Sequence, residues 1–240
     1  MDYEITQVPF LNENDKQSMF ELMKDNYSGV NRAVFLKDLH EKDYVIILKS
    51  KDRLCGFSTF ALSQHNINGR NIRLAFSGDT VISKENRNSR QLPVSFGVLM
   101  NRIEKLSDEP LYWMLISKGF RTYRFLPVYF KEFYPVYNRD TPGPEKELID
   151  SLGKKLFPKR YREDLGIISS SGQAVKNFLE DQQVINQRDD EHIQFFNTKN
   201  KNWPQGDELL CLVRYNRKNL NPFISKILDL EESKATQPVS

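Results

Sequence analysis

The sequence has 240 residues, with 35 Lys and Arg against 32 Asp and Glu, which gives a formal charge of +3 at pH 7. With 39% hydrophobic and 28% charged residues, it has the composition of a folded chain of one or two domains, and disorder is excluded. Two cysteines are too few for a disulfide framework, and no apolar run approaches the ~18 residues of a membrane helix, so we expect a cytoplasmic protein without a membrane span.

Two helices are predicted before the first strand. Apolar residues at helical spacing predict a helix over about 14–25. A second, shorter helix is expected after Asn31, a typical N-cap residue, with Phe35 and Leu39 on its buried face.

The next segment predicts an antiparallel meander of three strands with Gly56 as a candidate bulge, at about 44–48, 54–62 and 72–82. A helix over about 89–106 and a continuously apolar strand at 111–116 follow. Because a crossover helix connects parallel strands, the strands at 72–82 and 111–116 are expected to be a parallel pair. We expect these two strands to diverge and to leave a slot with a positively charged entrance.

The remaining chain divides by composition. Residues 1–138 are expected to form most of the core, with a short helix and a turn after the parallel strand. Residues 139–191 have charge-rich helical patterns and are expected to be a helical insertion or lid. Residues 192–230 are expected to complete the core with a hairpin of two strands, at 193–196 and 209–213, and a helix, and 231–240 to be a disordered tail.

The predicted fold class is therefore mixed α+β, with a central mixed sheet, an antiparallel meander, a strand-helix-strand parallel unit and a helical insertion. This order resembles the GNAT family of acyl-coenzyme A dependent acyltransferases over roughly 15–137 and, more loosely, 193–215. Leu54-Cys55-Gly56-Phe57 resembles the family's third strand, and Ser83-Lys84-Glu85-Asn86-Arg87 the segment that leads its fourth strand into the cofactor loop. The resemblance implies acyl-CoA or acetyl-CoA as co-substrate, or an acyl-carrier protein thioester, and an amine of a small molecule or amino acid as acceptor.

The cofactor loop departs from the family pattern of Gln or Arg, two residues, Gly, one residue, and Gly or Ala. Arg87 matches, but Arg90 and Leu92 occupy the two small positions. The free N–H groups and positive dipole at the start of the following helix favour a pyrophosphate. The expected cofactor-binding residues are Val81, Ile82, Ser83, Arg87, Asn88, Ser89, Arg90, Gln91 and Leu92.

Four interpretations of this altered loop remain open. The cofactor lies slightly displaced and is held by arginine forks, or the donor is a carrier protein. In the third, the site is inactive. In the fourth, Arg87 and Arg90 only solvate the start of a helix.

Two kinds of catalytic residue are expected. Asp79 is the only carboxylate in 72–82 and is placed to accept a proton, with a simple turn residue as the alternative. The resemblance implies a tyrosine that protonates the departing thiolate on the segment after the parallel strand. Tyr123 is the first candidate and Tyr129 the second, and the alternative is that both pack the end of the sheet.

The sequence leaves two other functional classes open. One is a catalytically inactive ligand- or partner-binding protein on the same scaffold. The other is a nucleic-acid-binding protein that uses Arg121, Tyr123 and Arg124, which the nearly neutral chain disfavours. The three histidines have no ligand spacing, so no metal is expected, and the sequence does not indicate an oligomeric state.

Overall fold

The computed structural model describes residues 1–87, 89–176 and 178–235. Its α-helices are α1 (Glu13–Asn26), α2 (Arg32–His40), α3 (Gln91–Glu104), α4 (Phe120–Tyr123), α5 (Phe125–Tyr129), α6 (Gly143–Leu156), α7 (Phe178–Gln187), α8 (Glu191–Lys199) and α9 (Pro222–Ala235). Its strands are β1 (Asp2–Gln7), β2 (Tyr27–Ser28), β3 (Tyr44–Ser50), β4 (Arg53–Ile67), β5 (Arg70–Ile82), β6 (Leu111–Ser117), β7 (Tyr161–Arg162), β8 (Ile167–Ile168), β9 (Ala174–Val175) and β10 (Glu208–Tyr215). Within these ranges, no helix combines the length and the apolar character needed to cross a membrane.

A single eight-stranded sheet organises the fold, in the order β1-β3-β4-β5-β6-β10-β8-β7. Its pairs are antiparallel except for β5 and β6, where Arg73–Ser77 run parallel to Leu111–Leu115. A small separate sheet joins β2 to β9. The predicted α+β class, the antiparallel meander and the parallel pair are confirmed.

Helices cover both faces of the large sheet. On one face, Phe96 of α3 packs against Trp113 of β6 and Tyr129 of α5, in a cluster that also includes α8 and α9. On the other face, α1 and α2 cover the meander, where Phe35 contacts Phe57. Helix α6 covers the remaining strands of that face. Because β6 is covered on both faces, its side chains from Leu111 to Ile116 are all apolar or aromatic.

The first two helices are confirmed, and their starts have the expected chemistry. The Asn12 side chain accepts a hydrogen bond from the backbone N–H of Asp15, and the Asn31 side chain accepts one from Val34. Each cap satisfies a donor that has no partner inside the helix. The sequence signal at Asn31 therefore located the start of α2.

The hairpin predicted at 193–213 is wrong in its first strand, because 193–196 belong to α8. The carboxylate of Asp190 caps this helix by accepting hydrogen bonds from the N–H groups of His192 and Ile193. Ile193 and Phe196 are both fully buried at a spacing of three residues, which suits one face of a helix. The second strand, at 209–213, is confirmed within β10 and pairs with β6.

The ends of the chain and the insertion also differ from expectation. The sequence reasoning missed β1, an edge strand that pairs with β3. The segment 139–191 contains α6 and α7 but also the short strands β7, β8 and β9, and β8 extends the main sheet from β10. Of the predicted tail 231–240, residues 231–235 belong to α9, and 236–240 lie outside the described residues.

Arg73 links β5 to the end of α3. Its guanidinium is buried and makes five hydrogen bonds to backbone carbonyl oxygens, those of Ile103, Glu104, Ser107 and Glu109. The last carbonyls of a helix lack partners inside the helix, and a cation there also interacts favourably with the helix dipole. Arg73 therefore fixes the crossover helix to the strand that leads into the site.

Candidate functional site

The parallel strands separate at one point in the middle of the sheet. Their pairing ends at Ser77 and Leu115, although β5 continues to Ile82. At this point the indole N–H of Trp113 donates a hydrogen bond to the Ser77 hydroxyl at 2.7 Å. Beyond it, β5 keeps only its β4 partner, so a gap opens between β5 and β6.

A β-bulge in β5 lies at the start of the gap. Ser58 of β4 pairs with Thr80, but Phe60 pairs with Ser77, so Gly78 and Asp79 together oppose Thr59. A bulge adds one residue to one strand, bends it and changes the direction of the side chains that follow. The bulge thereby places Asp79 at the gap.

Gly78 is required by space. A Cβ atom there would lie 2.6 Å from Cε of Lys42 and 2.6 Å from Oγ1 of Thr59. Lys42 is itself held by an ion pair with Asp38 at 2.7 Å. Thr59 Oγ1 is buried and has no hydrogen-bond partner among the residues that the structure describes.

Two cavities open on either side of the gap. The carboxylate cavity, of about 310 Å³, is lined by three acidic residues, Asp38, Asp79 and Glu208. The arginine cavity, of about 390 Å³, is lined by Arg87, Arg121, Arg124 and Arg188. Three hydroxyl-bearing residues line both cavities, namely Tyr27, Thr80 and Thr122. The two cavities therefore meet at the gap between β5 and β6.

Asp79 is the chemically distinctive residue of the carboxylate cavity. Burial, followed by the negative charge of Asp38, raises the pKa of Asp79 from 3.8 to about 6, while Lys118 and Lys42 pull it down. Within residues 1–87, 89–176 and 178–235, no group hydrogen-bonds or forms an ion pair with its carboxylate. Asp79 is thus a partly buried, unpartnered base that is mostly ionised at neutral pH.

The arginine cavity has an excess of positive charge. Arg121 pairs with Asp181 at 2.9 Å, and Arg124 pairs with Asp190 at 3.2 Å. Arg87 donates a hydrogen bond to the Asn26 side chain at 3.0 Å, and Arg188 forms no ion pair inside the described ranges. The cavity has four arginines and one lining acid, Asp181, and so favours a polyanion.

The predicted cofactor residues fall into two groups. Val81, Ile82, Arg87 and Leu92 line the arginine cavity. Asn88 lies outside the described residues. The others, Ser83, Ser89, Arg90 and Gln91, do not line it.

Local contacts explain the second group. The N–H of Ser83 donates to the carbonyl of Cys55, and the hydroxyl of Ser89 accepts from the N–H of Gln91. Arg90 is exposed at the N-cap of α3. Leu92, by contrast, is buried and lines both the arginine cavity and a small apolar cavity that Thr80 and Thr122 also line.

Neither predicted tyrosine reaches the site. Tyr123 is fully buried among aromatic rings and donates its hydroxyl hydrogen to the carbonyl of Pro135 at 3.0 Å. Tyr129 is buried with its ring stacked on Phe125, and it lines neither cavity. Both residues pack the end of the sheet, which was the alternative interpretation, and the expectation of a proton donor at either position is corrected.

Tyr27 is the tyrosine that the structure brings to the gap. Burial raises its pKa well above the ordinary range, followed by the charges of Asp79 and Glu208. The charge of Arg87 lowers the pKa of Tyr27. Asp79 and Glu208 line the carboxylate cavity and Arg87 lines the arginine cavity, so Tyr27 is within electrostatic range of both. The ammonium group of Lys118 lies 5.5 Å from the centre of its ring.

Sequence reasoning missed Tyr27, Thr80 and Thr122 because they come from three distant segments. Tyr27 is held by pairing with Val175 of the insertion, which no local pattern indicates.

A metal site finds no support either. The described residues contain no cluster of three or more His, Cys, Asp or Glu side chains that would hold a metal ion.

Comparison with known proteins gives similarity at the level of the fold. No known family profile matches the sequence, and no curated protein matches it. Solved structures do match part of the chain. One is a probable N-acyltransferase of otherwise unknown function from Enterococcus faecalis, with a TM-score of 0.43 and 14% identity over 55% of this chain and 33% of that one.

Two further matches are of the same kind. The N-myristoyltransferase of Saccharomyces cerevisiae, solved with myristoyl-CoA, has a TM-score of 0.38 and 14% identity over 49% of this chain and 30% of that one. A GCN5-related N-acetyltransferase from Kribbella flavida has a TM-score of 0.40 and 16% identity over 55% and 34%. The match spans about a third of each of these structures. These matches are similarities of part of the fold, and they carry over neither family, activity nor substrate.

Proposed function

We propose that this protein transfers an acyl group from an acyl-coenzyme A thioester to the amine of a small molecule. The observation that carries the proposal is the gap between β5 and β6, with an arginine-lined cavity on one side and an unpartnered carboxylate on the other. A donor and an acceptor that enter from opposite sides would meet at this gap. Holding two reactants in contact is a large part of catalysis for a bimolecular transfer.

The charge of the arginine cavity supports a phosphate-bearing donor. Guanidinium groups hold phosphates through paired hydrogen bonds, and Arg87 and Arg188 have donors that no acid occupies among the described residues. Leu92 stands where the family pattern has a small residue, so close approach of a phosphate to the backbone of α3 is restricted. The arginine side chains would then supply most of the phosphate contacts, which favours the displaced-cofactor interpretation.

The backbone next to the gap offers further donors. Because the N–H of Ser83 points to β4, and successive residues of a strand alternate, the N–H groups of Thr80 and Ile82 point away from β4. No strand partner faces them there, since β6 has already diverged. Such donors suit the amide groups of an extended donor arm, or the oxygen of a thioester on which negative charge develops.

Asp79 and Tyr27 have the properties that the proton transfers need. An acceptor amine arrives as an ammonium, and the ionised carboxylate of Asp79 takes one proton so that the nitrogen can attack the thioester carbon. As the C–N bond forms and the C–S bond breaks, the sulfur leaves as a thiolate. Tyr27 keeps its hydroxyl proton at neutral pH and lines both cavities, so we propose that it donates this proton to the thiolate and regains one from the nitrogen, which loses its second proton as the amide forms.

Ligand-induced stabilisation tests the donor site. At a hundred times its dissociation constant, a ligand stabilises the fold by about 2.7 kcal/mol, which corresponds to roughly 5–11 °C in Tm for a chain of this size. Coenzyme A and acetyl, octanoyl and myristoyl thioesters are compared with pantetheine, which lacks the phosphates. We expect stabilisation by coenzyme A compounds, a smaller shift in Arg188→Gln, and a retained shift in Arg53→Gln, an exposed arginine away from the cavity.

The outcomes separate the alternatives. Equal stabilisation by pantetheine and coenzyme A would point to a carrier-protein donor, since the phosphates would then contribute nothing. No shift with any of these compounds would refute the proposed function.

A catalytically inactive ligand-binding protein remains the second candidate, and the buried Leu92 in the cavity favours it. It predicts binding of coenzyme A without release of free thiol in the presence of any amine. The nucleic-acid alternative loses its support, because Tyr123 is buried and offers no ring for a base to stack on.

A further inference from the structure

The charged groups of the carboxylate cavity do not pair one to one. Three cations, Lys42, Lys118 and Arg160, line the cavity with its three carboxylates. Asp38 is matched by Lys42 at 2.7 Å. Glu208 serves two cations, with Lys118 at 3.4 Å and Arg160 at 3.8 Å.

Among the residues that the structure describes, the remaining carboxylate, Asp79, forms no ion pair, so the cavity has an unmatched negative charge on β5. It also has an unmatched positive charge where Lys118 and Arg160 share Glu208. Glu208 and Lys118 are buried, with side-chain exposures of 5% and 14%. Charges in such surroundings interact strongly because water screens them poorly.

The two cations are oriented by their neighbours. Lys118 donates to the Gln173 side chain at 3.3 Å. Arg160 uses one Nη1 donor on the carbonyl of Ser169 and packs its guanidinium 5.4 Å from the centre of the Phe157 ring. A guanidinium has five N–H donors, so Arg160 keeps donors for a further anion.

We propose, on the basis of the acyltransferase function above, that the acceptor is an amino-carboxylate zwitterion such as an α-amino acid. Its ammonium group lies at Asp79, where the reaction needs it, and its carboxylate lies at Lys118 and Arg160. The cavity, at about 310 Å³, is at the small end of the range for small-molecule sites, about 300–1,000 Å³.

The rest of the lining indicates the side chain of the acceptor. The uncharged part of the lining is mixed. Apolar and aromatic residues contribute Met23, Val34, Phe35, Phe76, Ile116 and Phe157, and Gly78 and the polar residues Tyr27, Thr80, Thr122, Ser171 and Gln173 contribute the rest. An amino acid with a medium-sized apolar side chain therefore fits better than one with a charged side chain, which would find no partner there. Within the acceptor, only the nitrogen changes its bonds, and the carboxylate is unchanged. The ammonium loses one proton to Asp79 and the nitrogen forms the amide bond to the acyl carbon. The C–S bond of the thioester breaks, and the second proton of the nitrogen balances the one that the departing sulfur takes up as it becomes a thiol.

Pairs of acceptors that differ only in the carboxylate test the inference. L-leucine is compared with 3-methylbutylamine, L-methionine with 3-(methylthio)propylamine, and L-phenylalanine with 2-phenylethylamine. Release of free thiol from acetyl-CoA gives kcat/KM for each compound. We expect at least one amino acid to exceed its amine roughly tenfold or more, as the loss of a hydrogen-bonded charge pair implies.

Variants show whether the predicted cations cause the preference. Arg160→Gln should bring the ratio of kcat/KM values for that pair towards one, while Arg162→Gln, an exposed neighbour on β7, should keep the wild-type ratio. A preference for the amine in all three pairs, equal values in all three, or an unchanged ratio in Arg160→Gln would overturn the inference.

The inference can fail separately from the proposed function. Thermal stabilisation by each amino acid and each amine is measured without any thioester, so it does not depend on turnover. Stabilisation by an amino acid but not by its amine, and its loss in Arg160→Gln, would support the zwitterion site even if coenzyme A does not bind. Stabilisation by coenzyme A without any preference for amino acids would leave the proposed function standing and refute the zwitterion site.

Discussion

Replacing Asp79 with Asn is expected to stabilise the protein at neutral pH. The gain in free energy of unfolding should grow as the pH rises from 4 to about 6. The folded protein holds the Asp79 proton more tightly than the unfolded chain does, since its pKa is raised from 3.8 to about 6. A group of this kind contributes its full stability below pH 4 and loses it as the pH passes through about 6. Each tenfold change in proton affinity corresponds to about 1.4 kcal/mol. The wild type therefore loses roughly 3 kcal/mol of its free energy of unfolding as the pH rises, whereas Asp79→Asn does not.

The measurement is urea unfolding of both proteins at pH 4, 5, 6, 7 and 8 without ligand. Asp38, Glu208, Lys42 and Lys118 face Asp79 in both proteins, so the comparison isolates the change at residue 79. Loss or gain of contacts by the amide adds an offset that does not change with pH. The free energy of unfolding of Asp79→Asn relative to wild type should rise between pH 4 and pH 6 and then level off. A difference that is constant with pH, or that falls, would show that Asp79 is not held in a desolvated position.

Three further substitutions test the elements that build the site. Arg73→Met should lower the stability by about 3 kcal/mol, because several buried carbonyls lose a charged donor, and circular dichroism should show a Tm lower by roughly 6–12 °C; an unchanged Tm would contradict this role. Gly78→Ala should cost about 1–3 kcal/mol by displacing Lys42 or Thr59, whereas Gly143→Ala, where a Cβ meets nothing within 4 Å, should be neutral by the same melting assay. Tyr27→Phe should lower kcat for thiol release more than tenfold if Tyr27 protonates the thiolate, on the usual scale of acid catalysis. Tyr123→Phe should leave kcat near the wild-type value, and the reverse order would restore the sequence-based assignment.

The parts of the fold that the sequence predicted are those fixed by short-range chemistry. The N-cap at Asn31 and the apolar stripe of α1 locate two helices, because caps and helical spacing act within a few residues. The parallel pair of β5 and β6 followed from a helix between two apolar strands, since few connections satisfy that order. Asp79 was singled out because it is the one carboxylate on its strand, and its catalytic role stays a prediction.

The errors concern segments whose pattern suits two structures or whose partner is distant. The apolar pattern of 193–196 is compatible with either a buried strand or the buried face of a helix. In the structure these residues are helical, and the Asp190 side chain caps the start of that helix. The edge strand β1 is short and half-exposed, and only pairing with β3 defines it. Tyr123 was placed by its spacing from β6, but α4 ends at that residue and directs the side chain into the core.

Under the proposed function, arginine side chains of the arginine cavity would recognise the phosphates that a glycine loop binds through its backbone. A glycine loop works because the backbone N–H groups reach the anion directly, and Arg90 and Leu92 remove that possibility in this chain. Arg87 comes from the loop, Arg121 and Arg124 from the segment after β6, and Arg188 from the insertion, so the positive charge depends on the packing of three separate segments. A local sequence motif does not reveal such a site. It would nevertheless offer phosphate the same kind of contacts as a glycine loop, because a guanidinium fork supplies both the charge and the paired donors. Recognition of phosphate by side chains from the insertion would also make binding depend on α7, which is held to the core by the Arg121–Asp181 and Lys84–Glu180 ion pairs.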